Sequence, residues 1–216
     1  MIMATKVYIE EGKKKVFAVS LQWSGWARSG KDEESALDAL AEYAPRYEVI
    51  AKAAGLRLPK SATRLEVVEK LAGNASTDFG MPAVFATSDT GKPGPKEAEK
   101  LAALLRAAWT AFDERRATAP AELTKGPRGG GRDRDKIVAH VINAEAGYIR
   151  QLGLKASTAG QEVPRPSWRE AVLAALRQAR ESGPLRDRGW PPRYAARRIA
   201  WHVLDHAWEI QDRDES

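Results

Sequence analysis

The chain has 216 residues, 43% of them hydrophobic and 30% charged, with a formal net charge of +6 and no cysteine. That length holds one large domain or two small ones with a real core, and the missing thiols exclude disulfides, thiolate metal sites and a cysteine nucleophile. No apolar run approaches the roughly 18 residues a bilayer span needs, and Met1–Tyr8 lacks the apolar stretch of a secretion signal, so a cytoplasmic protein without membrane contact is expected.

Lys6–Ile9 and Lys15–Leu21 are short β-prone runs joined by the polar segment Glu10–Lys14, the pattern of a hairpin. Ser29-Gly30-Lys31-Asp32 has the S-x-x-D form of a helix start. Ala36, Leu37, Leu40, Ala41, Ala44, Tyr47 and Ile50 then recur at helical spacing, which predicts one helix running through Ile50. Arg64–Leu71 and Pro82–Ala86 read as further strands. Ser88–Pro95 is rich in breakers and has no apolar periodicity, so it is expected to divide an α+β domain over 1–90 from a second domain over 91–216.

Beyond that stretch every periodic segment is helical. Leu101, Leu104, Leu105, Ala108, Trp109 and Phe112 form one apolar stripe that closes near Ala119-Pro120. A second helix is predicted over Asp133–Leu152, with Ile137, Val141, Ala144, Tyr148 and Leu152 inward and His140 on the flank of that stripe. A third starts at Ser167-Trp168-Arg169-Glu170, which has the residues of a capping box, and ends at Ser182-Gly183-Pro184; a fourth starts beyond Pro191-Pro192. Four such helices predict an all-α four-helix bundle following the α+β portion, a scaffold that builds metal sites from facing helices. The seven tryptophans are expected as buried anchors between helices or between the two portions, and the connector through Gly129-Gly130-Gly131 as a flexible link.

The positive charge is unevenly shared. Residues 1–95 carry 13 basic and 12 acidic side chains, whereas residues 96–216 carry 22 and 17. The excess lies in Arg186, Arg188, Arg193, Arg197 and Arg198, and in Arg128, Arg132 and Arg134 around the glycine run. Solvated, partly paired surface arginines are the preferred reading, so nucleic acid is not the expected partner.

The chain has three histidines, His140, His202 and His206. Random placement of three would give a pair at a spacing of four in about 3% of such chains. On a helix that spacing is about 40° of rotation and 6 Å of rise, so the His202 and His206 imidazoles leave one face and can share an ion. Three neutral imidazoles suit a divalent transition metal, Zn²⁺ or Ni²⁺ foremost, and leave coordination positions open, where a bound water or substrate thiol would be acidified. On the same face Glu209 is the candidate general base, with pairing to Arg213 as its plainer use. Arg198, one turn before His202, is the candidate for holding a substrate carboxylate, against helix-entrance capping or simple solvation.

The run Ile137–Ala146 around His140 and the segment Trp201-His202-Val203-Leu204-Asp205-His206-Ala207-Trp208-Glu209 resemble the DinB-like superfamily of metal-dependent four-helix bundles, which includes the helical domain of mycothiol-dependent maleylpyruvate isomerases. In that family one histidine comes from the second helix and an H-x-x-x-H pair from the last. The resemblance covers about residues 96–216 and implies His140, His202 and His206 as ligands, with a small-molecule substrate and a low-molecular-weight thiol as a cosubstrate to consider. Val16–Ser20 and Gly30–Leu37 are similar to HicB-like folds, in which a hairpin precedes a helix; Leu21–Trp26 departs from their pattern. Two functions follow. One is a metal-dependent hydrolase, or a thiol-dependent transferase or isomerase. The other is a non-catalytic interaction protein whose HicB-like portion binds a protein or RNA partner over a structural bundle. A homodimer is compatible with both, and in a third arrangement the ion only stabilises the bundle.

Overall fold

The structure is a computed structural model that describes residues 4–126, 130–154, 166–182 and 189–214. The expected flexible link at 127–129, the end of the third helix at 183–184 and the arginines at 186 and 188 lie outside the described residues.

The N-terminal portion is a four-stranded mixed sheet of order β3-β2-β1-β4, built from β1 (Thr5–Glu11), β2 (Val16–Ser20), β3 (Ala27–Gly30) and β4 (Leu65–Ala72). The expected hairpin is present, with β1 antiparallel to β2 from Val7↔Ser20 to Glu11↔Val16. β4 lies parallel to β1 on its other side, where Arg64–Leu71 was expected as a strand.

Three local expectations give way to turn and cap chemistry. Ser29 is not a helix start; it pairs with Phe17 as part of β3. The N-cap of α1 (Glu33–Glu42) is Asp32, whose carboxylate accepts from the Ser35 amide at 2.9 Å while the Ser35 hydroxyl accepts from the Asp32 amide. The apolar period through Ile50 is real but is carried by two helices, α1 and α2 (Ala44–Ala53), which meet at Tyr43. Pro45 has no amide to donate back to the preceding turn, which ends one helix and suits the first turn of the next. Pro82–Ala86 is not a strand, because the amides of Ala83 and Val84 are taken by the Glu10 carboxylate at 2.9–3.1 Å rather than by a strand partner. The short helix α3 (Ala75–Phe79) and a 3₁₀ turn at Thr87–Asp89 complete this region.

The helices that follow sit close to their expected positions: α4 (Pro95–Thr118), α5 (Arg134–Gln151), α6 (Pro166–Ser182) and α7 (Pro192–Asp214). The capping box expected at Ser167–Glu170 does not form; α6 already begins at Pro166, and Glu170 binds Arg106 at 2.7 Å. α4 packs on α7, α6 and α2, and α7 packs on α5. Among the described residues no helix is long and apolar enough to cross a membrane.

One core runs from Val7, Ile9 and Trp26 of the sheet region through Leu101 and Leu105 of α4 to Ile199 and Leu204 of α7. A second, smaller cluster covers the opposite face of the sheet, where Tyr8, Phe17 and Val19 meet Ala86 and Trp201, the last standing edge-on to Phe17 with ring centroids 6.0 Å apart. α7 is apolar around most of its circumference, and every residue from Tyr194 to Leu204 is buried. It docks where the β2–β3 turn leaves room. Gly25 there has φ +93°, and a Cβ on it would lie 2.8 Å from Leu204 Cδ1 and 3.0 Å from Ala200 Cβ. Gly25→Ala therefore combines left-handed backbone strain with overpacking against α7, and denaturant unfolding is expected to show a loss of about 2–4 kcal/mol. A loss below about 0.5 kcal/mol, within the range of neutral surface changes, would mean that the turn and helix are not so closely apposed.

Candidate metal centre

The enclosure of α7 decides the environment of its polar residues. His202 and His206 are buried at 4% and 7% exposure, facing α5, while His140 on α5 is the exposed member of the trio. One ring nitrogen from each of the three lies within 4.8 Å of the others, so the structure brings together all three predicted ligands. His140 Nε2 and His202 Nε2 are 3.2 Å apart. Tetrahedral bonds of about 2.0–2.1 Å to one ion place neighbouring nitrogens about 3.3 Å apart, so this pair already stands at ligand spacing. The His206 ring packs edge-on to both, at centroid distances of 4.9 Å from His140 and 4.7 Å from His202.

The protonation states suit the same use. Desolvation, followed by the neighbouring His206 and Arg132 charges, lowers the His140 pKa to about 4. Although His140 is exposed overall, the packed side of its ring is enough for that effect. Burial lowers His202 well below the ordinary histidine value, with His206 and Arg198 adding to the shift. Both rings are neutral at pH 7, so neither carries a charge that a cation would have to displace.

His206 Nδ1 donates to Glu209 Oε2 at 2.7 Å, which leaves Nε2 as its free ring nitrogen. Glu209 is also 3.4 Å from Arg213 Nη1 and 3.6 Å from Arg132 Nη2. Burial pushes the Glu209 carboxyl up, but the His206 hydrogen bond and the positive charge around it prevail and hold it below the usual carboxylate range. The carboxylate thus engages one ring nitrogen of His206 and leaves the other free. His202 Nδ1 is buried without a hydrogen-bond partner, and Tyr148 stands edge-on to the His202 ring at 5.5 Å.

The reading of the arginines as solvated is corrected for those on α7. Arg197 is 4% exposed and forms a two-pronged ion pair with the fully buried Asp89, at 2.5 Å for each prong. Arg198 is 6% exposed and lies against the Tyr148 and Trp201 rings. Arg193 holds Glu97 at 2.6 Å. The charge pattern alone hid this, because these arginines lie on a helix whose alanines and branched residues leave it no solvent face until its last turns. Six of the tryptophans, all but Trp190, are buried as expected.

Sequence reasoning missed Glu145, which is 3% exposed inside the helical layer. The Trp109 indole donates to its Oε1, and Arg169 Nη2 lies 4.0 Å from Oε2. Its spacing of four from Val141 and three from Ile142 places it on the buried stripe, a signal that periodicity carried. Glu145 is closer to the interior than Ala144 and Tyr148, which are only half-buried.

Comparison of the chain with protein-family models, with curated proteins and with solved structures gives no match.

Burial raises the Glu145 carboxyl from 4.5 to about 7, against the opposing effect of Arg169. The folded chain therefore binds this proton more tightly than the unfolded chain between those values. Its contribution falls as pH rises from about 4.5 to about 7 and is level above, with a total on the order of 3 kcal/mol. His140 and His202 act oppositely in part of that window, so the check is a difference. Unfolding free energies of wild type minus Glu145→Gln should decline across pH 4.5–7, and a difference independent of pH would contradict the assignment.

Proposed function

We propose that the protein is a divalent-metal-dependent enzyme acting on a small molecule, with His140, His202 and His206 as ligands and α4–α7 forming a four-helix bundle of the DinB-like kind. The observation that carries this reading is the 3.2 Å approach of two neutral imidazole nitrogens from separate helices, with a third imidazole oriented beside them by a carboxylate. Absent an ion, the buried His202 and the exposed His140, facing each other nitrogen to nitrogen, share at most one hydrogen bond at that contact, so a shared electrophile explains the arrangement better.

Zn²⁺ or Ni²⁺ suits an all-imidazole donor set. A bound divalent ion supplies Lewis acidity, which lowers the pKa of a coordinated water or thiol toward neutrality. The chain's own residues do the rest. Glu209 fixes the His206 tautomer and ring orientation and raises its basicity, which makes it a positioning residue rather than the general base. Exposed His140 leaves the cluster open on one side, where a small substrate and a water or low-molecular-weight thiol can enter. With no cysteine in the chain, any thiol in the reaction comes from a cosubstrate.

Protein purified without an affinity tag should contain more than about half an equivalent of one transition metal, removable by chelation. Changing all three histidines to alanine should abolish metal and turnover while circular dichroism stays unchanged. An apoprotein that refuses added zinc and nickel would contradict the proposal, and stoichiometric metal without turnover on small electrophiles would reduce the ion to a structural role. Glu209→Gln should weaken metal affinity about 10- to 100-fold without abolishing it, read by competition with a chromophoric chelator. Unchanged affinity would remove Glu209 from the site.

A further inference from the structure

The segment that leads into α5 is fastened to the end of α7 at two points. The Thr124 amide donates to the Arg213 carbonyl at 3.0 Å, and Arg213 Nε and Nη1 donate in return to the carbonyls of Thr124 and Arg132 at 2.8 and 2.5 Å. Beside the second point Gly131 has φ +117°, and a Cβ on it would lie 2.8 Å from Arg213 Nη2. A glycine takes this left-handed turn without strain and lets the backbone pass that close to the guanidinium. The main chain of Arg132 is thereby held in place, which an unrestrained linker would not do.

This clasp presents the Arg132 side chain to the histidine cluster. Arg132 Nη2 lies 3.6 Å from Glu209 Oε2, the oxygen that accepts from His206 Nδ1 at 2.7 Å. The Arg132 charge also reaches His140 and His202, whose pKa values it helps to depress. Among the described residues Glu209 is the one side-chain partner of Arg132, at a length beyond a hydrogen bond, and 40% of the Arg132 side chain stays open to solvent. Glu209 meets Arg213 as well, at 3.4 Å. Two guanidiniums thus share one carboxylate, and the neighbouring acids Asp133 and Asp135 are paired with Lys125 and Arg134. One positive charge is in surplus before any ion binds. It lies near the exposed His140, on open surface with room for more than a water molecule.

We propose that Arg132 is the residue that selects the substrate of the metal centre: its guanidinium holds the carboxylate of a small organic acid while another atom of that molecule reaches the ion. The inference rests on the reading of the three histidines as ligands. A carboxylate, with one charge and two coplanar oxygens, matches one guanidinium fork and one surplus charge, whereas a phosphate dianion brings a second charge that Arg132 does not meet. A cationic substrate is repelled by both the guanidinium and the ion. Because the clasp fixes the Arg132 backbone in advance, less freedom is lost when the acid binds. Arg198, the candidate for this role from the sequence, is 6% exposed and packs on the Tyr148 and Trp201 rings, so an incoming acid meets Arg132 instead.

The test uses the full chain loaded with Co²⁺, whose visible absorption changes when a ligand joins the ion, and two probes that share one metal-binding group. Acetohydroxamate has no acid group; N-hydroxysuccinamic acid carries the same hydroxamate and a carboxylate. Wild type should bind the acid probe about tenfold tighter or more, as a charge-assisted pair provides, and in Arg132→Gln that preference should shrink to about threefold or less. Should that variant fail to fold, Gly131→Ala, which keeps every charge but disturbs the clasp, should cut the preference by about threefold or more. Cobalt uptake is measured first, by equilibrium dialysis. Normal uptake with no preference for the acid probe, or with a preference that survives these substitutions, overturns the role of Arg132 and leaves the metal centre standing. Absence of uptake overturns both.

Discussion

The enclosure of α7 is the constraint on which the rest of the structure depends. A helix with apolar residues over most of its circumference cannot lie on a surface, so the chain wraps it with α4, α5 and α6 and with the sheet, through the β2–β3 turn at Gly25 and the Trp201–Phe17 contact. Polar groups carried on such a helix enter an environment of low dielectric, where each must find a partner or a purpose. Arg197 finds Asp89, and His206 finds Glu209. Nitrogens on Arg197, Arg198, Trp201, His202 and Arg213 of α7 remain buried without a hydrogen-bond partner.

Two environments adjoin along α7. Toward α5, neutral imidazoles face one another at a spacing that a divalent ion would share. Toward the sheet, an Arg198 nitrogen and the Trp201 indole N–H border a small cavity. The Asp89–Arg197 pair fixes the boundary on the sheet side, because it ties the 3₁₀ turn before α4 to the second turn of α7. Buried ion pairs contribute little net stability compared with apolar packing, but breaking one strands a charge. The pair is therefore better regarded as setting register between the sheet portion and α7 than as strengthening the core.

Much of this was legible in the sequence. The hairpin, β4, the four long helices and the His202/His206 pair follow from period, breakers and spacing, since each depends on neighbours close in the chain; His140 joined the pair only through the resemblance. What escaped depended on partners far along it. Pro82–Ala86 has the composition of a strand, but a carboxylate on β1 claims its amides. Arg197 and Arg198 carry charge in a pattern typical of surfaces, and only the packing of other helices around α7 buries them. Glu209 shared a face with the histidines in the helical projection, yet its bond to one His206 nitrogen requires the side-chain direction and the two guanidiniums that hold it. Glu145 was open to the periodicity argument and was missed because a carboxylate on an apolar stripe looks like an interruption of it.

X-ray absorption spectroscopy of the metal-loaded protein tests the central claim most directly. The account predicts a first shell of nitrogen and oxygen at about 2.0–2.1 Å with multiple scattering from three imidazoles, dropping to two in His140→Ala. A shell without imidazole scattering, or one unaltered by removal of His140, would contradict it.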